Sequence, residues 1–235
     1  MPRRLLYLLG GDIAVFELIA DEYLAAAGGQ DAGIAILLEG GRGWERHLPS
    51  YVEPWRRRGV ERLHIIVPDQ TGRLDTDATL RRLREATGIV VGGGPTPNYQ
   101  RLYAAEPLRT VIRERYHSGV PYAGLSAGAL LAPEVCARRG RDPGEPALQV
   151  MPGLGLVNGL LVGVHFDQPD SLEHLLEAMS RTQTLRALGI DEGACVVLED
   201  EVPVRVLGRS AYEVTMAGPH GTDHRIRKLQ SCPAP

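Results

Sequence analysis

The feature that most constrains the fold is a repeated unit: a short apolar run, stopped by a glycine-rich turn and followed by a longer stretch with helical spacing. Leu5–Leu9 ends in Gly10-Gly11-Asp12, and residues 89–91 end in Gly92-Gly93-Gly94. Tyr122–Leu125 ends in Ser126-Ala127-Gly128. Runs of four or five apolar residues bounded by glycine read as buried strands, and the segments between them carry apolar residues at helical intervals. Residues 34–38 and 63–67 read as further strands. Residues 15–27, 44–58, 75–87 and 107–117 read as helices, with Pro49 and Pro54 interrupting the second and Glu106 helping to open the last. Parallel strands need long crossovers, so this alternation predicts an α/β three-layer sandwich around a largely parallel, doubly wound sheet. After Ser126 the pattern changes. Residues 148–164 are rich in Gly, Val and Leu, and residues 194–198, 202–207 and 212–216 read as consecutive strands with short turns, predicting an antiparallel C-terminal extension. The polar tail from Gly218 to Pro235 has no assigned structure. With no internal repeat of sequence and no low-complexity linker, residues 1–235 are expected to form one domain.

Composition narrows the function classes. A hydrophobic content of 43% and a charged content of 23% are the balance of an ordinary soluble globular protein, and a net charge of −3 gives no strong polyanion signal. Arginines are scattered among acids, which argues against nucleic acid as a partner; the run Arg56-Arg57-Arg58 fits the solvated end of a helix. Cys136, Cys195 and Cys232 lack metal spacing and suggest reduced thiols in a cytoplasmic protein. The N-terminal apolar run is better read as a first strand than as a signal peptide, and no run reaches the length of a membrane span. No cofactor is expected. A homodimer is the prior expectation for assembly, because symmetric dimers are common, although no sequence feature marks an interface.

Gly124-Leu125-Ser126-Ala127-Gly128 has the form of a nucleophile elbow, a tight strand-to-helix turn that projects a serine hydroxyl while flanking glycines keep Cβ atoms away from neighbouring elements. Small residues around a serine also occur where a strand simply packs on a helix. The second glycine turn, Gly92-Gly93-Gly94-Pro95-Thr96, belongs to the same crevice if the two strands are neighbours in a parallel sheet. A serine needs a base. His165 ends the apolar run 160–164 and would be delivered to the strand end; His47, His117 and His174 fall on polar helical faces, and His64 lies inside a strand where a core role is expected. His220 and His224 have i, i+4 spacing, but Gly218, Pro219 and Gly221 disfavour the helix a metal pair would need, so no metal site is expected. For an orienting acid, Asp191 and Glu192 close a strand before a glycine turn, and Asp167 is a third candidate. Spacing does not choose among them.

Taken together and in this order, Gly92-Gly93-Gly94-x-Thr96, Gly124 to Ala129, Val164-His165-Phe166 and Gly189-Ile190-Asp191-Glu192 resemble the dipeptidase E and cyanophycinase family of serine peptidases. The resemblance covers most of the chain. It implies a class I glutamine amidotransferase-like fold and a Ser-His-Glu arrangement, with Ser126 as nucleophile, His165 as general base and acid, and Glu192 as the orienting carboxylate. Backbone N–H groups of Gly93, Gly94 and Ala127 would stabilise the oxyanion. The implied activity is hydrolysis of short peptides through an acyl-enzyme, led by an aspartyl dipeptidase-like exopeptidase. The alternatives are a non-peptidase hydrolase or acyltransferase on a small amide or ester, and a non-catalytic binding module. The chain departs from the cyanophycinase pattern around the histidine. Gly163 and Val164 precede it in place of an Asp-Gln pair, and Pro169, Asp170 and Ser171 follow in place of an arginine-rich helix. Basic contacts for an aspartyl carboxylate are therefore expected to be absent there, with Arg181 or Arg101 as possible substitutes. Gly94-Pro95-Thr96 stands where dipeptidase E proteins read Gly-Asn-Thr, which brings the chain closer to that branch.

Overall fold

A computed structural model describes residues 2–140, 146–217 and 223–230. The first apolar run forms β1 (Leu5–Leu9), buried along its whole length because both faces are covered. Its side chains alternate: Leu6 and Leu8 enter one core, Leu5, Tyr7 and Leu9 the other. The chain continues through α1 (Phe16–Ala27), β2 (Gly33–Leu37), α2 (Leu48–Arg56), β3 (Arg62–Ile66), α3 (Thr76–Glu85), β4 (Gly88–Val91), α4 (Thr96–Tyr103), α5 (Leu108–His117), β5 (Tyr122–Leu125) and α6 (Ala127–Leu131). Helices α1 and α2 cover one face of the sheet through Phe16, Tyr23 and Trp55. Helices α3 to α6 cover the other through Leu83, Tyr103, Ile112 and Leu131. This is the three-layer α/β architecture that the alternation predicts.

The second half runs through β6 (Val135–Arg139), β7 (Leu148–Pro152), β8 (Leu161–Val164), α7 (Ser171–Thr182), β9 (Arg186–Ile190), β10 (Ala194–Glu199), β11 (Val202–Gly208), β12 (Ala211–Met216) and β13 (His224–Lys228). The main sheet has the order β11-β10-β1-β5-β4-β2-β3, parallel from β1 to β3 and antiparallel at β10 and β11. A second sheet has the order β13-β12-β9-β8, with β8 and β9 parallel and the other pairs antiparallel. The antiparallel extension is thus divided between two sheets. The chain turns away at Gly208, whose φ of +76° suits glycine and where a Cβ would lie 2.2 Å from the Gly193 carbonyl oxygen.

Other local readings are refined by packing. Pro49 sits in the first turn of α2, where a missing N–H costs nothing, so it starts the helix instead of breaking it. Helix α4 was not expected after the glycine turn, yet Pro97 lies in its first turn and suits that position. His64 is only half-buried, because β3 is an edge strand and not a central one. Arg57 and Arg58 pair with Glu17 and Asp21 of α1, which accounts for the basic run at the end of α2. Cys136 and Cys195 are buried free thiols; Cys232 and His220 lie outside the described residues, and His224 belongs to β13. Among the described residues no helix is long and apolar enough to cross a membrane.

Candidate active site

Strand order builds the site. Because β5 lies between β1 and β4, the turn after β1 and the turn after β4 flank Ser126 at the carboxyl end of β5. Ser126 has φ 49° and ψ −102°, a conformation rarely adopted by a residue with a Cβ, and its N–H donates to the Leu9 carbonyl at 2.9 Å. The glycines beside it are there for space. A Cβ on Gly124 would lie 2.4 Å from the Gly128 carbonyl carbon and oxygen, and one on Gly128 would lie 2.5 Å from the Val91 carbonyl oxygen. Both obstacles are backbone, so neither can rotate away. Gly128→Ala is accordingly expected to cost at least about 3 kcal/mol of stability, measured by denaturant unfolding.

The second sheet supplies the next two groups. Strands β8 and β9 are parallel with Val164 opposite Ile190, so His165 and the pair Asp191-Glu192 leave neighbouring strands at the same level. The β9–β10 turn is tied to the main sheet: Gly10 N–H donates to the Ala194 carbonyl at 2.9 Å and Asp12 N–H to the Glu192 carbonyl at 2.8 Å. The outcome is a continuous chain of contacts. Ser126 Oγ lies 2.9 Å from His165 Nε2, and His165 Nδ1 is hydrogen-bonded to Glu192 Oε2. The other acids do different work. Asp167 Oδ1 accepts the Glu192 N–H at 3.1 Å, and its other oxygen faces Arg209 at 3.6 Å. Asp191 is buried, which pushes its carboxyl pKa up, with the nearby Asp167 charge adding to the effect.

Gly11 packs directly against this array: a Cβ there would lie 2.3 Å from His165 Cε1 and 2.7 Å from Glu192 Oε1. On the other side of Ser126, a Cβ on Gly93 would lie 3.4 Å from the serine Cβ. Of the three candidate oxyanion donors, Gly93 is already engaged, since its N–H donates to Tyr51 Oη at 2.9 Å. The N–H groups of Gly94 and Ala127 have no partner among the described residues.

Ser126, His165 and Gly94 line a cleft of about 980 Å³ that Arg138, Arg139 and His174 also line. Arg138 donates to Gln149 at 3.0 Å, and Arg139 faces Asp170 at 3.7 Å. The His174 Nε2 atom is buried with no hydrogen-bond partner. The segment around His165 brings no basic group, yet β6 brings two arginines to the cleft, and the arginines nominated as substitutes do not line it. Arg101 binds the Gly72 carbonyl at 3.0 Å and Arg181 the Leu148 carbonyl at 3.4 Å. Nothing local in the sequence distinguishes Arg138 and Arg139, because their strand is brought to the cleft by tertiary packing, paired with β7 and set against β8.

A serine at a strand-to-helix elbow of the central sheet, followed in hydrogen-bonding sequence by a histidine and a carboxylate brought from a second sheet, sits on a fold of class I glutamine amidotransferase-like architecture. Residues 57–204 match the model of peptidase family S51. The chain belongs to that family. Cyanophycinases from Synechococcus elongatus and Thermosynechococcus vestitus are each 28% identical over 210 residues, covering 88% of this chain and 65% of theirs. This chain thus spans about two thirds of the length of those relatives. A crystal structure of a peptidase from an acI-B1 Actinobacterium superposes with a TM-score of 0.67 at 19% identity, covering 97% of this chain and 94% of that one. A putative peptidase E protein from Listeria monocytogenes gives 0.57 at 15% identity, covering 97% and 100%. At these identities the two structures speak for the fold.

Proposed function

We propose that this chain is a serine exopeptidase that cleaves short peptides carrying an acidic residue, using Ser126, His165 and Glu192. The observation that carries the reading is the 2.9 Å approach of Ser126 Oγ to His165 Nε2, with Glu192 on the opposite ring nitrogen. Glu192 accepts from Nδ1–H, which leaves Nε2 free to take the serine proton. The hydroxyl oxygen then attacks the scissile carbonyl. Gly94 and Ala127 N–H groups receive the oxyanion, and His165 returns its proton to the departing amine. Water repeats the sequence on the acyl-enzyme and frees Ser126.

Membership of a peptidase family supports a peptide substrate. The acidic preference is supported by the cleft lining, to which Arg138, Arg139 and His174 contribute along with Ser126. A guanidinium recognises a carboxylate through paired N–H donors, and such charge-assisted bonds contribute about 1.5–3 kcal/mol each. Replacing Arg138 and Arg139 together by Ala is expected to raise KM for an Asp-X dipeptide about tenfold or more, with a smaller effect on Ala-X. The test of the proposal is a dipeptide panel led by Asp-Leu, with Ala, Met, Arg and blocked N-termini, assayed with wild type and Ser126→Ala. Cleavage of Asp-X that depends on Ser126 is the expected result. Equal cleavage of all members overturns the acidic preference, and no cleavage of any member overturns the peptidase reading.

A further inference from the structure

The turn after β4 is threaded between two phenols. A Cβ on Gly92 would lie 2.7 Å from Tyr99 Oη and 3.0 Å from Tyr51 Oη, so only glycine fits there. One residue on, both polar groups of Gly93 are taken by those rings. Its N–H donates to Tyr51 Oη at 2.9 Å, and its carbonyl accepts from Tyr99 Oη at 3.0 Å. The rings themselves cannot drift. Tyr51 is buried against Phe16, with centroids 5.8 Å apart, and Tyr99 is buried against Tyr103, with centroids 6.1 Å apart. Tyr103 in turn donates to the Leu38 carbonyl at 2.7 Å.

A trans peptide is planar, and its C=O and N–H point in opposite directions. Pinning the Gly93 carbonyl to Tyr99 therefore sets the direction of the next N–H, that of Gly94. This is the N–H without a partner among the described residues, on a residue that lines the cleft beside Ser126. Tyr51 holds the preceding peptide plane through the Gly93 N–H, so the turn is fixed at two successive planes. Gly94 has φ +145°, outside the range that other residues favour, and a free glycine turn would sample many alternatives.

We infer that Tyr51 and Tyr99 are positioning residues for the oxyanion site: together they clamp Gly93 and aim the Gly94 N–H at the carbonyl that Ser126 attacks. The inference rests on Ser126 being the nucleophile, as proposed above. Neither tyrosine touches the reacting atoms, and both act through one peptide plane. Burial raises the pKa of both phenols, which keeps them protonated, so that Tyr99 remains a donor.

The experiment compares Tyr51→Phe, Tyr99→Phe and the double variant with wild type, with active sites counted by an activated phosphonate. Three quantities are read per active site: the rate of phosphonate labelling of Ser126, kcat and KM on the best dipeptide, and the affinity of a peptide boronic acid that mimics the tetrahedral state. Losing an oxyanion donor outright costs about 10²- to 10³-fold in kcat, so mis-aiming one is expected to cost about 10- to 100-fold in each Phe variant. KM should stay within about threefold, and boronic acid affinity should fall in proportion to kcat/KM. The double variant should lose little more than the worse single one, because both residues hold one unit. Unchanged labelling rate and kcat per active site in both Phe variants overturn the clamp while leaving the nucleophile in place. A fall in kcat with unchanged boronic acid affinity overturns it too. Labelling without cleavage of any dipeptide defeats the peptidase reading and leaves the clamp to be judged on labelling rates. Failure of wild-type Ser126 to label defeats the nucleophile assignment and the clamp with it.

Discussion

Ser126→Ala is expected to lower kcat by about 10⁴- to 10⁶-fold while leaving the fold intact, the range seen when a serine nucleophile is removed from a triad that works as a unit. The substitution deletes only the oxygen that lies 2.9 Å from His165 Nε2. It does not relieve the backbone, since alanine keeps the Cβ that makes φ 49° and ψ −102° costly. Ser126→Gly separates the two effects. It should be equally inactive, yet it should gain about 1 kcal/mol of stability, because a residue without a Cβ accepts that conformation without strain. Active-site labelling with a phosphonate, dipeptide turnover and urea unfolding of the three proteins together check this expectation. Residual turnover in Ser126→Ala above about one hundredth of wild type would remove the serine from the mechanism.

The second large effect is expected at a residue with no side chain. Gly11→Ala would place a Cβ 2.3 Å from His165 Cε1, 2.5 Å from His165 Nδ1 and 2.7 Å from Glu192 Oε1. All three obstacles are side-chain atoms, so the protein can relieve the overlap by moving the imidazole and the carboxylate. That relief is what costs activity. If His165 is the base, a displacement of about 1 Å is enough for about a 100-fold loss, and here the overlap falls on the imidazole and on its carboxylate partner together. Gly11→Ala is therefore expected to lose about 10²- to 10³-fold in kcat with a Tm within a few degrees of wild type. A proton NMR spectrum should show the downfield Nδ1–H resonance of His165 shifted or lost. Gly10→Ala gives the contrast. Its Cβ would lie 1.9 Å from the Asp191 carbonyl oxygen, an obstacle of main chain, so that variant should fail as a folded protein and not merely as a catalyst.

These two glycines show where reading the chain alone stops. The turn Gly10-Gly11-Asp12 is visible as a strand terminator, but its closeness to His165 follows from hydrogen bonds of Gly10 to Ala194 and of Asp12 to Glu192, far along the chain. The basic cleft wall is hidden for the same reason. Arg138 and Arg139 end a short run with no motif, and only the folded chain, which pairs β6 with β7 and packs it on β8, brings that run to the cleft. Tyr51 and Tyr99 lie on two helices that cover opposite faces of the sheet, and they meet only at the end of β4.

What the chain determines by itself is local. Apolar runs of four or five residues ended by glycine specify strands and sharp turns through hydrophobic burial and steric permission alone, and so they reveal the parallel α/β framework. They also nominate Ser126 and His165, because each stands where such a run stops. The choice among carboxylates is different. Asp167, Asp191 and Glu192 are equivalent as sequence, and only the parallel register that sets Val164 beside Ile190 brings the Glu192 side chain onto His165 Nδ1. It also leaves Asp191 buried and turns Asp167 to the Glu192 backbone. Hydrogen bonds between strands fix that register over a separation of 26 residues, and one residue's slip would put every side chain of β9 on its other face. Which N–H groups near Ser126 are left without a partner is decided in the same way, since the phenol that occupies the Gly93 N–H arrives from α2, far along the chain.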